Sequence, residues 1–176
     1  GYYQQPHIDY DETFAPTLKF ATLRMIFALS ASMKMRVQQL DVKTAFLHGQ
    51  LQEEVYMEQP EGYIKDDHRV LRLKKAIYGL KQASRCWNGT FNDFMKEYEF
   101  QQSKHDPCVF TRKTHGHGLA IVAIYVDDII IACEAEAEAE SIKGELKKIF
   151  PNTDLGDAKY ILGINVKQKH GIKIHQ

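Results

Sequence analysis

Cysteine is scarce in this chain, and the little there is has no pattern. Cys86, Cys108 and Cys133 are odd in number, widely spaced and form no CxxC, which speaks against a disulfide scaffold. Reduced thiols in an intracellular protein are the simplest account. Net charge is missing too: 23 basic residues balance 23 acidic ones, so the whole molecule shows no nucleic-acid signature. Long apolar runs are also missing. No signal peptide opens the chain, and its longest apolar stretch is broken by two aspartates well short of a membrane span, so no membrane partner is expected. What remains is a globular composition, 44% hydrophobic and 26% charged over 176 residues, enough for one domain and its core.

The balanced total hides segregation. Lys65, Arg69, Arg72, Lys74, Lys75, Lys81 and Arg85 fall close together with only Asp66 and Asp67 against them. Such a stretch reads either as a face tracking nucleic-acid phosphates or as a solvated hairpin. From Glu134 to Glu140 the sequence alternates as EAEAEAE, which suits a solvated helix start where acids complement the dipole.

The most informative stretch is LAIVAIYVDDIIIAC, residues 119–133. Two β-branched apolar runs predict buried strands joined by a tight turn that carries Asp127 and Asp128. Adjacent carboxylates between apolar strands resist ionising together, a conflict relieved by a divalent cation. Turn chemistry alone also explains an Asp-Asp pair. A third acid, Asp41, near the end of another expected strand at 35–42, shifts the reading toward chemistry.

The rest of the chain frames these acids. Pro16 stands where a first helical residue should, and Leu18, Ala21, Met25, Leu29 and Met33 follow at helical spacing. Together they predict an amphipathic helix over 17–34. Residues 43–49 leave the strand as a turn or short helical segment, and 55–57 pairs with 70–73. Ser84 is placed to cap a helix with Trp87, Phe91, Phe94, Met95 and Tyr98 inward. A short strand covers 108–112. A helix over 134–150 turns Ala139, Ile142, Leu146 and Ile149 inward and stops at Pro151. A hairpin over His170-Gly171 closes the chain. This order predicts an α+β sheet with helices on one face, accommodated by a β-α-β-β-α-β core.

If the strands carrying Asp41 and Asp127/Asp128 are neighbours, the three acids meet at one sheet edge. That is what two-metal phosphoryl transfer requires, with two Mg²⁺ or Mn²⁺ ions about 3.5–4 Å apart on hard oxygen ligands. A rival zinc reading uses His105, Cys108, His115 and His117. Their spacing matches no common finger or ribbon, and loop histidines explain them.

QLDVKTAFLHGQLQEEVYMEQPEGY (39–63), LKKAIYGLKQASRCW (73–87), YVDDIII (125–131) and DLGDAKYILGINV (154–166) closely resemble the reverse transcriptase of copia-type LTR retrotransposons. GYYQQPHIDYDETFAP (1–16) is similar to the same family, so the resemblance runs over nearly the whole chain in order. It implies an RNA-directed DNA polymerase with a polymerase palm and part of the fingers. It also implies that the finger strands before residue 1, the thumb and ribonuclease H lie outside this chain. By resemblance Asp41 and Asp127 are metal-binding carboxylates, with the Val42 carbonyl as a further ligand. Asp128 completes the catalytic trio at the periphery. Phe46 matches the aromatic gate that excludes a ribose 2′-hydroxyl. Lys43, Thr44, Ala45, Tyr78 and Gly79 match the nucleotide pocket. Lys81, Tyr125 and Val126 match template and primer contacts.

The implied partners are an RNA template, a DNA primer, dNTP and the rest of a polyprotein with integrase and ribonuclease H. The implied location is cytoplasmic virus-like particles, with a nuclear phase. Departures are Ser84 where the family usually has proline, His7 where glycine is common, and the EAEAEAE filling. The alternative to polymerisation is a truncated or domesticated nucleic-acid-binding remnant that is catalytically silent.

Overall fold

Ala120–Ile124 and Ile129–Cys133 are buried at every position rather than at alternate ones. Side chains alternate between sheet faces, so unbroken burial means both faces are covered, as an unbroken Ile/Val/Ala run demands. The computed structural model describes residues 1–64, 68–114, 116, 118–169 and 171–175, and these form two compact units. The expectations on Lys65, Asp66, Asp67, His115, His117 and His170 lie outside the described residues.

The larger unit, residues 16–43 and 92–176, is built on an antiparallel six-stranded sheet. Its strands are β1 (Arg36–Val42), β4 (Gln101–Gln102), β5 (Val109–Thr114), β6 (Gly118–Tyr125), β7 (Asp128–Cys133) and β8 (Asn152–Asp157), in the order β4-β5-β6-β7-β1-β8. A separate three-stranded sheet follows, ordered β11 (Ile172–His175), β10 (Ile164–Gln168), β9 (Tyr160–Ile161). Helices α1 (Phe20–Ser32) and α3 (Glu136–Ile149) both pack on β7. The fold is α+β, and among the described residues no helix is long and apolar enough to cross a membrane.

Several expectations are corrected here. Helix α1 starts at Phe20, not beside Pro16, and the buried Asp106 carboxylate accepts the backbone N–H of its N-cap residue Lys19 at 3.1 Å. Its buried stripe is Leu23, Ile26, Phe27 and Ser30, whereas the expected inward residues Met25 and Leu29 are exposed. Apolar residues surround this helix, so the period alone does not select a face.

In α3, Ala139, Ile142 and Leu146 point inward as expected, but Ile149 is exposed. The EAEAEAE start is not wholly solvated: Glu138 is buried and accepts from Arg112 Nη2 at 2.9 Å. Arg112 also donates to the Tyr98 carbonyl at 2.7 Å and lies over the Phe100 ring, so its charge is enclosed and satisfied.

The smaller unit, residues 1–15 and 44–91, has little regular structure of its own. It holds a 3₁₀ turn (Ala45–His48) and a hairpin of β2 (Tyr56–Met57) with β3 (Leu71–Arg72). Helix α2 (Ala83–Glu97) begins in it, and the division between the units falls within this helix. Ser84 lies inside α2 rather than capping it; the Gln82 carbonyl accepts the Cys86 N–H. Trp87, Phe91, Phe94 and Met95 are buried as expected. A Cβ at Gly49 would sit 2.8 Å from the Trp87 nitrogen, so glycine is what lets the 3₁₀ turn end against α2.

Candidate active site

The acids are organised by strand register. Asp41 on β1 is the direct cross-strand partner of Asp128, the first residue of β7. Direct partners project to the same sheet face with Cβ atoms about 4.5–5.5 Å apart. Tyr125 pairs with Asp128 on one side, and Thr153 pairs with Asp41 on the other. A row Tyr125–Asp128–Asp41–Thr153 thus crosses β6, β7, β1 and β8 on one face.

The turn of this hairpin is Val126-Asp127, one residue earlier than the sequence suggests, because Asp128 already belongs to β7. Val126 has φ 56°, a left-handed conformation unfavourable for a β-branched side chain. The Asp127 carbonyl accepts the Val42 N–H at 2.9 Å, tying the turn to the end of β1.

Burial pushes the Asp128 carboxyl above the usual aspartate range, and the charges of Asp127 and Asp41 push it further. A 2.7 Å hydrogen bond from the buried Gln39 amide opposes that rise. Sequence reasoning missed Gln39. Its place two residues before Asp41 on β1 puts it on the same face, and that spacing is the signal that would have found it.

Asp41, Asp127 and Asp128 are each half-buried. Among the described residues no group of three or more His, Cys, Asp or Glu is arranged to cage a metal ion. For the zinc reading, His105 is exposed while Cys108 is buried with its thiol pushed up to about 12, chiefly by burial, which disfavours the thiolate a zinc ligand must supply.

Val42 is buried at the end of β1, and Lys43 is exposed with its N–H bonded to the Pro151 carbonyl at 2.9 Å. The remaining expected substrate residues lie in the smaller unit. Thr44 is left-handed at φ 52°, and Ala45 is buried at the start of the 3₁₀ turn. Half-buried Phe46 packs on exposed Tyr78, with centroids 4.8 Å apart. Gly79 takes φ 95°, which a side chain would resist.

Lys81 is held from the N-terminal segment. Its N–H donates to the Gln4 side chain at 2.9 Å, and its ammonium lies over the Tyr10 ring. Fully buried Gln82 accepts from Gln4 Nε2 at 3.0 Å and donates to the Asp9 carbonyl at 2.9 Å. The expected basic face is partly neutralised: Arg72 pairs with Glu54, and Arg85 faces Glu12 and Glu53.

The family model described as reverse transcriptase (RNA-dependent DNA polymerase) matches residues 1–176. The chain is 44% identical over 168 residues to the retrovirus-related Pol polyprotein from transposon TNT 1-94 of Nicotiana tabacum, covering 94% of this chain and 13% of that protein. It is 36% identical over 170 residues to the Pol polyprotein from transposon RE2 of Arabidopsis thaliana, covering 96% of this chain and 12% of that one. The chain therefore spans about an eighth of the length of these relatives. With its acids paired across β1 and β7, the chain belongs to the reverse transcriptase (RNA-dependent DNA polymerase) family, as a copia-type member.

Proposed function

We propose that this chain is the palm and part of the fingers of an RNA-directed DNA polymerase that transfers nucleotides from dNTP to a primer 3′-hydroxyl. The observation that carries the reading is the register pairing of Asp41 with Asp128, with Asp127 in the adjoining turn, within a family of polymerases. The palm assignment is supported by sheet order. Taken in chain order, β1, α2, β6, β7, α3 and β8 follow a β-α-β-β-α-β path, and their strands lie as β8-β1-β7-β6.

Asp41, Asp127 and the Val42 carbonyl are the donors that would hold Mg²⁺ or Mn²⁺, all oxygen and all at one end of β1. Bound there, two divalent ions supply Lewis acidity for the attacking hydroxyl and charge neutralisation on the phosphates. Asp128, its carboxyl pushed above the ordinary range chiefly by burial and held by Gln39, would steady the pair from the flank. In the smaller unit, the Phe46 ring backed by Tyr78 would form a flat wall against which a 2′-hydroxyl clashes, selecting deoxynucleotides. Lys81 would meet template phosphate, an interaction that weakens with salt. The partners are RNA template, DNA primer, dNTP and the other parts of a Pol polyprotein.

The test is dTTP incorporation on poly(rA)/oligo(dT) with Mg²⁺, comparing this chain with a version carrying flanking polyprotein sequence. Incorporation by the longer protein that disappears in Asp127→Asn supports the mechanism. An Asp127→Asn protein that still extends primers overturns it. Silence of both lengths while folded favours the non-catalytic remnant.

A further inference from the structure

We infer that Thr153 is a nucleotide-binding residue of this site, its hydroxyl donating to a phosphate oxygen of the incoming deoxynucleotide. The inference rests on the polymerase reading above and adds a residue that the family resemblance does not assign.

Thr153 ends the row Tyr125–Asp128–Asp41–Thr153, so its side chain shares the face of both carboxylates. One strand spacing, about 4.8 Å, separates β8 from β1. Asp41 is therefore flanked by a carboxylate on one side and a neutral hydroxyl on the other. The side matters. Asn152 pairs with Val42, and the Pro151 carbonyl takes the Lys43 N–H, so β8 starts beside the segment expected to face the nucleotide. Tyr125 and Asp128 occupy the opposite flank.

The chemistry also fits. Each carboxylate of the row repels a phosphate unless a cation lies between, whereas a neutral O–H donor approaches one freely. Thr153 is exposed, and among the described residues no protein group engages its hydroxyl.

A useful donor must also be held still, and β8 is clamped directly after this residue and again at its end. Lys143 reaches from α3 to Asp154 Oδ2 and Glu140 Oε1, both at 2.8 Å. Arg36 grips both Asp157 oxygens at 2.9 Å. Thr153 is itself β-branched, so few χ1 rotamers compete with the productive one.

Thr153→Val keeps the shape and removes the donor, and Thr153→Ser restores the donor. In the longer polymerase, the valine variant should raise the KM for dTTP about three- to tenfold with kcat little changed, and serine should return KM to near wild type. In the 176-residue chain, thermal protection by dTTP with Mg²⁺ should need a similarly higher nucleotide concentration for the valine variant. Equal KM and equal protection for wild type and Thr153→Val would overturn the inference while leaving the polymerase reading intact. Loss of folding in Thr153→Val with normal KM in Thr153→Ala would overturn it as well. A wild-type protein that neither incorporates nor is protected by dTTP removes both readings together, which separates that failure from the failure of Thr153 alone.

Discussion

The two units hold their polar residues in place by different means. In the larger one, Asp41 and Asp128 are placed by backbone register in the interior of a six-stranded sheet, on strands that are themselves buried at nearly every position. Shifting either acid means shifting a whole strand and repacking the side chains on both of its covered faces. In the smaller one, Lys81 and its neighbours are placed by individual side chains: Gln4 on the Lys81 N–H, Gln82 on the Asp9 carbonyl, and Tyr10 under the ammonium. A position set by register tolerates single substitutions around it, whereas one set by individual side-chain amides does not.

That contrast can be broken in four places. Glu138→Ala should cost the most, about 3 kcal/mol of unfolding free energy in denaturant titration, because it removes the 2.9 Å partner of the enclosed Arg112 and leaves, among the described carboxylates, only Glu145 at 3.9 Å. The acids' register should nevertheless survive in the folded population, read as amide protection of β1 and β7 that falls by no more than the loss in global stability. Gln82→Ala should cost about 1–3 kcal/mol, since it leaves the Gln4 amide and the Asp9 carbonyl unpaired in a buried place. Its distinguishing sign is faster hydrogen exchange at the Lys81 N–H with β7 untouched. If β7 exchange rises equally, the two units are not held independently.

Val126→Gly should stabilise by about 1 kcal/mol, because glycine relieves the left-handed turn. Primer extension should fall at the same time, since the turn that positions Asp127 loses its stiffness. The smallest effect belongs to Asp128→Asn. A carboxyl whose folded pKa is raised contributes stability below its unfolded pKa and loses it as pH rises through the folded value. The asparagine variant should therefore melt slightly higher than wild type at neutral pH without metal, and the difference should vanish at pH values below the aspartate range. Mg²⁺ should reverse the order if Asp128 helps hold the ion. A wild-type advantage at pH 7 in metal chelator would contradict the electrostatic account.

The parts of this molecule that were legible in the sequence are those where burial leaves a period. The β6–β7 hairpin, the β2–β3 pairing, α2 and most of α3 follow from apolar spacing. Asp41 and the Asp127/Asp128 pair stand out as charges at the ends of such runs. Strand β8 was not legible. NTDLGD is polar, lies at an edge and is mostly exposed, so neither alternation nor an apolar run marks it as a strand. With β8 missing, Thr153 has no address, and the row beside Asp41 cannot be written. The face of α1 was illegible for the opposite reason, an excess of apolar residues. The Gln4–Gln82 amides were invisible because 78 residues separate partners that nothing local links.

Strand β8 has one more residue than its ladder uses. Gly156 faces Gln39 and Asp154 faces Leu40, so Leu155 bulges outward, 47% exposed. Because β8 is an outer strand of the sheet, that spare residue governs how the protein behaves toward copies of itself. A bulge twists an open edge away from straight partners, and the opposite edge is protected by the brevity of β4. Deleting Leu155 would leave both flanking pairings in register while straightening the edge. The consequence is a protein with the row Tyr125–Asp128–Asp41–Thr153 in place and a new tendency to aggregate strand to strand.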